Sequence, residues 1–80
     1  MVSMAIRHYK FRLKIKEVLE ERGMKMKDLA ELSGLRNATI SEMAHNTRSV
    51  INKVHLAKIM DALDITKLED ILELSVEEEL

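Results

Sequence analysis

The sequence predicts an all-α domain of five short helices. Three observations carry this. First, the 80 residues hold no proline and only two glycines, Gly23 and Gly34, so the chain has few places to break a helix. Second, apolar residues recur three and four apart through most of the chain. Third, hydrophobic content is 46% with one Tyr, one Phe and no Trp, which points to an aliphatic core. The length suits one domain near the small end of what folds unaided. There is no cysteine, so disulfides and thiolate metal sites are excluded. Stability must then come from apolar packing, helped by dimerisation.

The elements follow in order. Tyr9, Phe11, Leu13 and Ile15 alternate with Lys10, Arg12, Lys14 and Lys16, a period of two that fits an edge strand. The first 12 residues therefore read as a basic arm, extended or else continuing the first helix. Met4 is an alternative start, and Met1 to Ser3 carry no pattern. Ile15, Val18 and Leu19 have helical spacing, and Gly23 after "EER" is a stop, giving a first helix over about 13–22. A second helix over about 26–33 has Leu29, Ala30 and Leu32 for an inner face and Gly34 to end it. A third over about 37–44 turns Ile40 and Met43 inward, and Asn46 follows where a positive φ is tolerable. Asn52 can cap a fourth over about 53–63, with Leu56, Ile59, Met60 and Leu63 on one face. "TKLE" has the capping-box form, predicting a fifth helix over about 67–74 that buries Leu68, Ile71 and Leu72. The acidic end, 75–80, has no pattern and is expected to fray. The domain proper is thus about 13–74, between arm and tail.

Net charge is −1, but its distribution is uneven. Residues 1–27 carry eight Lys/Arg against three acids, +5; residues 28–60 carry four against three, +1; residues 61–80 carry one against eight, −7. Ends of opposite sign predict a polarised surface with one side suited to polyanions.

The second and third helices, joined by a turn at Gly34, make a helix-turn-helix unit. Ala30 is small where the two helices approach, while Leu29, Leu35, Ile40 and Met43 pin both to the rest of the domain. From "LEERGMKMKDLAELSGLRNATISEM" to "LAKIMDALDITKLEDILEL", about residues 13–74, the chain resembles the Cro/CI-type helix-turn-helix family, the phage-repressor-like (XRE) regulators. The resemblance implies a compact five-helix lambda-repressor-like DNA-binding domain. It would lay its third helix in the major groove of double-stranded DNA, usually as a homodimer on a two-part operator. The base-reading positions of the family fall on Asn37, Ala38, Ser41 and Glu42. Asn37 suits an adenine edge, Ala38 a thymine methyl, Ser41 several bases and Glu42 a cytosine amino group. Phosphate contacts fall on Met26, Lys27, Arg36, His45, Thr47, Arg48 and Ser49. The chain departs from the family pattern at several places, among them Glu42, an acid facing a polyanion, and a loop after the third helix whose one basic residue is Arg48. Met26 stands for a common Gln and Arg36 for a small hydroxyl cap, leaving Asn37 as either cap or base reader. Ala44 stands for an acid and Asn46 for a glycine.

Other function classes find little footing. There is no glycine-rich phosphate loop, no cysteine, no Ser-His-Asp set and too little chain for a pocket, so the reading is not an enzyme, with no cofactor and no small-molecule substrate. His8, His45 and His55 lack metal-ligand spacing, so no metal is expected. No apolar run approaches the roughly 18–20 residues of a membrane span, and "MVSMAIRHYK" has no signal-peptide core. A cytoplasmic, nucleoid-associated protein without membrane contact is the expectation. The basic arm is open to three uses: a DNA contact, pairing with the C-terminal segment, or pairing with a second subunit. A second function class is a protein-interaction module such as an antirepressor, an antitoxin or a regulator subunit. The acid on the third helix and the −7 C-terminal third motivate it.

Overall fold

The computed structural model describes residues 6–79. The expectations about Met1 to Ser3 and Met4 lie outside these residues. In chain order the elements are strand β1 (Ile6–Leu13), helices α1 (Ile15–Arg22), α2 (Met26–Ser33), α3 (Asn37–Ala44) and α4 (Lys53–Ala62), a 3-10 turn at Leu68–Asp70, and strand β2 (Leu72–Glu79). β1 and β2 pair antiparallel along their whole length, from Ile6 opposite Glu79 to Leu13 opposite Leu72.

This corrects the all-α five-helix expectation. Among the described residues there are four helices and a two-stranded sheet, and no fifth helix. Leu68, Ile71 and Leu72 do have helical spacing, and "TKLE" does look like a cap. In the structure Lys67, not Thr66, precedes the 3-10 turn, and no side chain caps it. Beyond it Leu72, Leu74 and Val76 alternate with Glu73, Ser75 and Glu77, a period of two that competes with the helical one. What decides is the partner. β1 offers an alternating strand whose apolar residues fall opposite those of β2: Tyr9 to Val76, Phe11 to Leu74, Leu13 to Leu72. Residues 75–79 of the expected fraying end form the outer part of β2. Of the three uses left open for the arm, pairing with the C-terminal segment is the one observed.

The helices follow local signals closely. Gly23 ends α1 at φ 62°, and its N–H donates to Glu20 O. The Lys25 N–H donates to Asp28 Oδ2 at 2.9 Å, satisfying one free amide at the start of α2. Asn52 caps α4 as expected, its Oδ1 accepting from the N–H groups of Val54 and His55 at 2.9 and 3.2 Å. The fully buried side chains are Ile15, Leu29, Ile40, Ile59, Leu63 and Ile71, one or more from each part of the helical body. Leu32, expected inside α2, is 62% exposed, and Leu68 is 48% exposed. Leu32 falls outside the arc made by Leu29 and Ala30, and Leu68 lost its inward place with the fifth helix.

The ribbon projects from this body. It explains the long axis of a molecule that measures 51 × 21 × 19 Å. Its base is bonded into the body: Lys14 N–H donates to Ile71 O at 2.7 Å, and Lys14 Nζ to Glu69 O at 2.7 Å.

Candidate nucleic-acid interface

The helix pair is built by turn chemistry. Gly34 adopts φ 74°, a left-handed conformation that favours glycine, and its N–H donates to Ala30 O at 2.9 Å. Ser33 Oγ accepts from Leu35 N–H at 3.2 Å, which holds the chain as it leaves the turn. Leu35 is half-buried. Ile40 and Ala44 are buried and Met43 packs beside them, so one face of α3 is anchored. The other face is presented outward.

On that outer face lie Asn37, Ala38 and Glu42, all exposed, with Ser41 half-buried and His45 exposed beyond them. Their positions at one, two, five, six and nine along the helix put them on one contiguous arc. The residue before α3 is Arg36, with extended backbone and no side-chain cap bond. Asn37 is therefore the first helical residue and not the cap. Its carboxamide makes no hydrogen bond within the described residues, so it is not committed to the helix amides.

Several expected contact residues have partners already. Glu42 and Arg48 form an ion pair: Arg48 Nε lies 3.2 Å from Glu42 Oε2 and Nη2 lies 3.3 Å from Oε1. The N–H and Oγ1 of Thr47 both donate to Glu42 O, at 3.2 and 3.3 Å, closing the C-terminal end of α3. His45 Nδ1 lies 2.7 Å from Ser41 O. A carbonyl only accepts, so Nδ1 carries the proton, and Nε2 is the nitrogen left over. Met26 packs half-buried against the core. Arg36 and Lys27 make no ion pair among the described residues, and both line a shallow groove across the turn with Asn37 and Glu31. Ser49 is exposed in the loop after α3.

Sequence reasoning missed the role of Asn46. It has φ 55°, as expected of the residue standing for glycine. Its side chain also reaches back across the domain: Oδ1 accepts from Leu13 N–H at 2.7 Å and Nδ2 donates to Leu13 O at 3.1 Å. The end of α3 is thereby tied to the base of the ribbon. A groove of about 610 Å³ opens between them, lined by Tyr9 and Phe11 on one side and by Arg36, Thr39, Glu42 and Arg48 on the other. An asparagine that tolerates positive φ was the only local signal for this tie.

Along the ribbon, charges that are separated in the sequence are brought together. β1 carries basic residues and β2 acidic ones, and pairing brings them together. Arg7 lies 2.9 Å from Glu78, Lys10 lies 3.6 Å from Glu77 and Arg12 lies 3.4 Å from Glu73. Arg12 also bonds Glu17 at the start of α1. That hydrogen bond holds the Glu17 carboxyl below the usual carboxylate range. Charges far apart along the chain thus cancel in space.

The family model described as the Cro/C1-type HTH DNA-binding domain matches residues 14–77. The chain belongs to that family, and the domain is that of a DNA-binding regulator, in a family defined by binding and not by catalysis. No curated protein and no solved structure gives a match. Among the described residues no helix is long and apolar enough to cross a membrane.

Proposed function

We propose that this protein is a sequence-specific transcriptional regulator, a repressor that binds an operator as a homodimer and lays α3 in the major groove. The carrying observation is the outer face of α3. It holds an uncommitted carboxamide at Asn37, a methyl at Ala38 and a hydroxyl at Ser41, on a helix anchored from behind by Ile40 and Ala44. Short side chains let a helix approach base edges, and those groups suit adenine, thymine methyl and mixed readout respectively. Arg36 and Lys27 flank the start of the helix as phosphate contacts, joined by His45 and Ser49, with Thr47 and Arg48 in the loop. Such a protein works in the cytoplasm, on the nucleoid.

The test is selection of bound duplexes from a random pool, followed by salt titration on selected and random sequences. A symmetric two-part consensus, bound at least tenfold more tightly than random duplex, is expected. Equal weak affinity for every sequence at every salt concentration would overturn the reading.

A second reading has its own observation. Glu42 brings an acid to the reading face, and the Glu42–Arg48 pair neutralises the guanidinium of the following loop. A protein-interaction module, such as an antitoxin or antirepressor, would tolerate that face. Recovery of one protein partner, with no duplex bound at low salt, would favour it.

A further inference from the structure

Alternation sorts the side chains of the ribbon onto two unlike faces. One face carries His8, Lys10 and Arg12 across from Glu77, Ser75 and Glu73, with ion pairs Lys10–Glu77 and Arg12–Glu73. The other carries Tyr9, Phe11 and Leu13 across from Val76, Leu74 and Leu72. Its base, Leu13 and Leu72, is covered by the body, but its outer part is open. Tyr9 is 57% exposed, Phe11 59%, Leu74 53% and Val76 46%. Val50 is 80% exposed and lines the groove beside Tyr9 and Phe11, so the patch continues onto the loop after α3.

We propose that a second copy of this chain covers this face, the two ribbons packing apolar face to apolar face about a two-fold axis. This rests on the reading of the protein as an operator-binding dimer and names the surface that makes the dimer. Two arguments choose this occupant. The first is area. The five residues leave on the order of 500 Å² open per copy, so two copies bury on the order of 1,000 Å², the lower bound for a specific interface. The second is charge. Joining two copies through the ribbon edges is the alternative. A β1–β1 edge would set Arg7, Lys10 and Arg12 against their own copies, and a β2–β2 edge would do the same with Glu73, Glu77 and Glu78. A β1–β2 edge satisfies the charges but runs head to tail and does not close. The apolar face is free of these penalties, because among the described residues its ion pair, Arg7–Glu78, sits at the outer end and is satisfied within one chain. The interface also borders the groove that reaches Arg36 and Glu42, so it carries one α3 on each side of the two-fold axis.

The test is sedimentation equilibrium of the full chain without DNA, with mobility shift on random duplex at low salt as a separate arm. The parent is expected to dimerise. Phe11→Glu and Leu74→Glu each place a charge on the apolar face and should weaken the dimer tenfold or more, with far-ultraviolet dichroism unchanged because both positions are exposed. Ser75→Glu, on the charged face opposite Lys10, should leave the dimer intact. A parent that stays monomeric overturns the proposal, as do Phe11→Glu and Leu74→Glu variants as dimeric as the parent. Slow amide exchange along the outer edge of β1 overturns it in favour of edge pairing. Any of these results leaves the DNA-binding reading to its own arm: duplex bound by the monomer keeps that reading, and duplex refused by a dimer removes it.

Discussion

Arg48 reaches back six residues to hold the carboxylate of Glu42, with two contacts of 3.2 and 3.3 Å on the exposed side of α3. The family resemblance implies a base contact for Glu42 and a phosphate contact for Arg48. In the free protein they satisfy each other. The pair is open to solvent, with side chains 70% and 46% exposed, so it contributes about 0–1 kcal/mol to folding. Under the proposed function its larger effect would fall on binding, where it ties up a cation and keeps an acid at the face.

Glu42→Gln therefore tightens binding to every duplex. It removes a negative charge from the face and releases Arg48 for phosphate. The salt dependence, read by fluorescence anisotropy, should steepen by about one counterion. An unchanged slope would mean that Arg48 stays away from the backbone. Thermal stability should barely move.

Asn37→Ala and Arg36→Ala separate reading from holding. Asn37→Ala should change the preferred base at one position of each half-site, costing on the order of 1–3 kcal/mol on the selected sequence and little on random duplex. Arg36→Ala should weaken all duplexes alike and lower the salt slope by about one. Parallel selections with the two variants distinguish these outcomes.

Asn46 joins the helix-turn-helix unit to the ribbon through both atoms of its carboxamide. Asn46→Gly keeps the positive φ and loses the two bonds to Leu13, at a cost of about 1–3 kcal/mol. Asn46→Ala loses the bonds and adds left-handed strain of about 1–2 kcal/mol. Urea unfolding should rank the three proteins parent, glycine variant, alanine variant. Amide exchange at Leu13 should quicken in both variants.

Acid should loosen the base of the ribbon. The Glu17 carboxyl is lowered by its hydrogen bond to Arg12. A carboxyl lowered in the folded state adds stability above its unfolded pKa and gives it up as pH falls through the folded value. The loss should thus begin as pH falls through the ordinary carboxylate range and be complete only below it, and it should be small, since Arg12 and Glu17 are 43% and 48% exposed. Glu17→Gln should flatten that part of the stability–pH curve, measured by thermal melts between neutral and acid pH.

The helical body was legible because its signals are local. Gly23 and Gly34 ended helices where a left-handed residue was needed, Asn52 capped α4, and Ile40 placed the inner face of α3. The outer face of α3 followed from that inner face by helical geometry alone. The ribbon was half legible. The alternation of Tyr9, Phe11 and Leu13 gave β1, but Leu68, Ile71 and Leu72 satisfied a helical period as well as a strand period. A short apolar run leaves that choice open until a partner is present.

What the sequence by itself determined is the helix-turn-helix unit, its anchored side and the composition of its outward side, since capping, turn and periodicity act within a few residues. What only the tertiary structure decided depends on residues far apart in the chain. It paired the basic start with the acidic end, setting Arg7, Lys10 and Arg12 against Glu78, Glu77 and Glu73. It also set an apolar ribbon face beside α3, with Asn46 as the tie. Strand pairing and ion pairing are long-range contacts whose free energy exists only once the body has brought the two ends of the chain together.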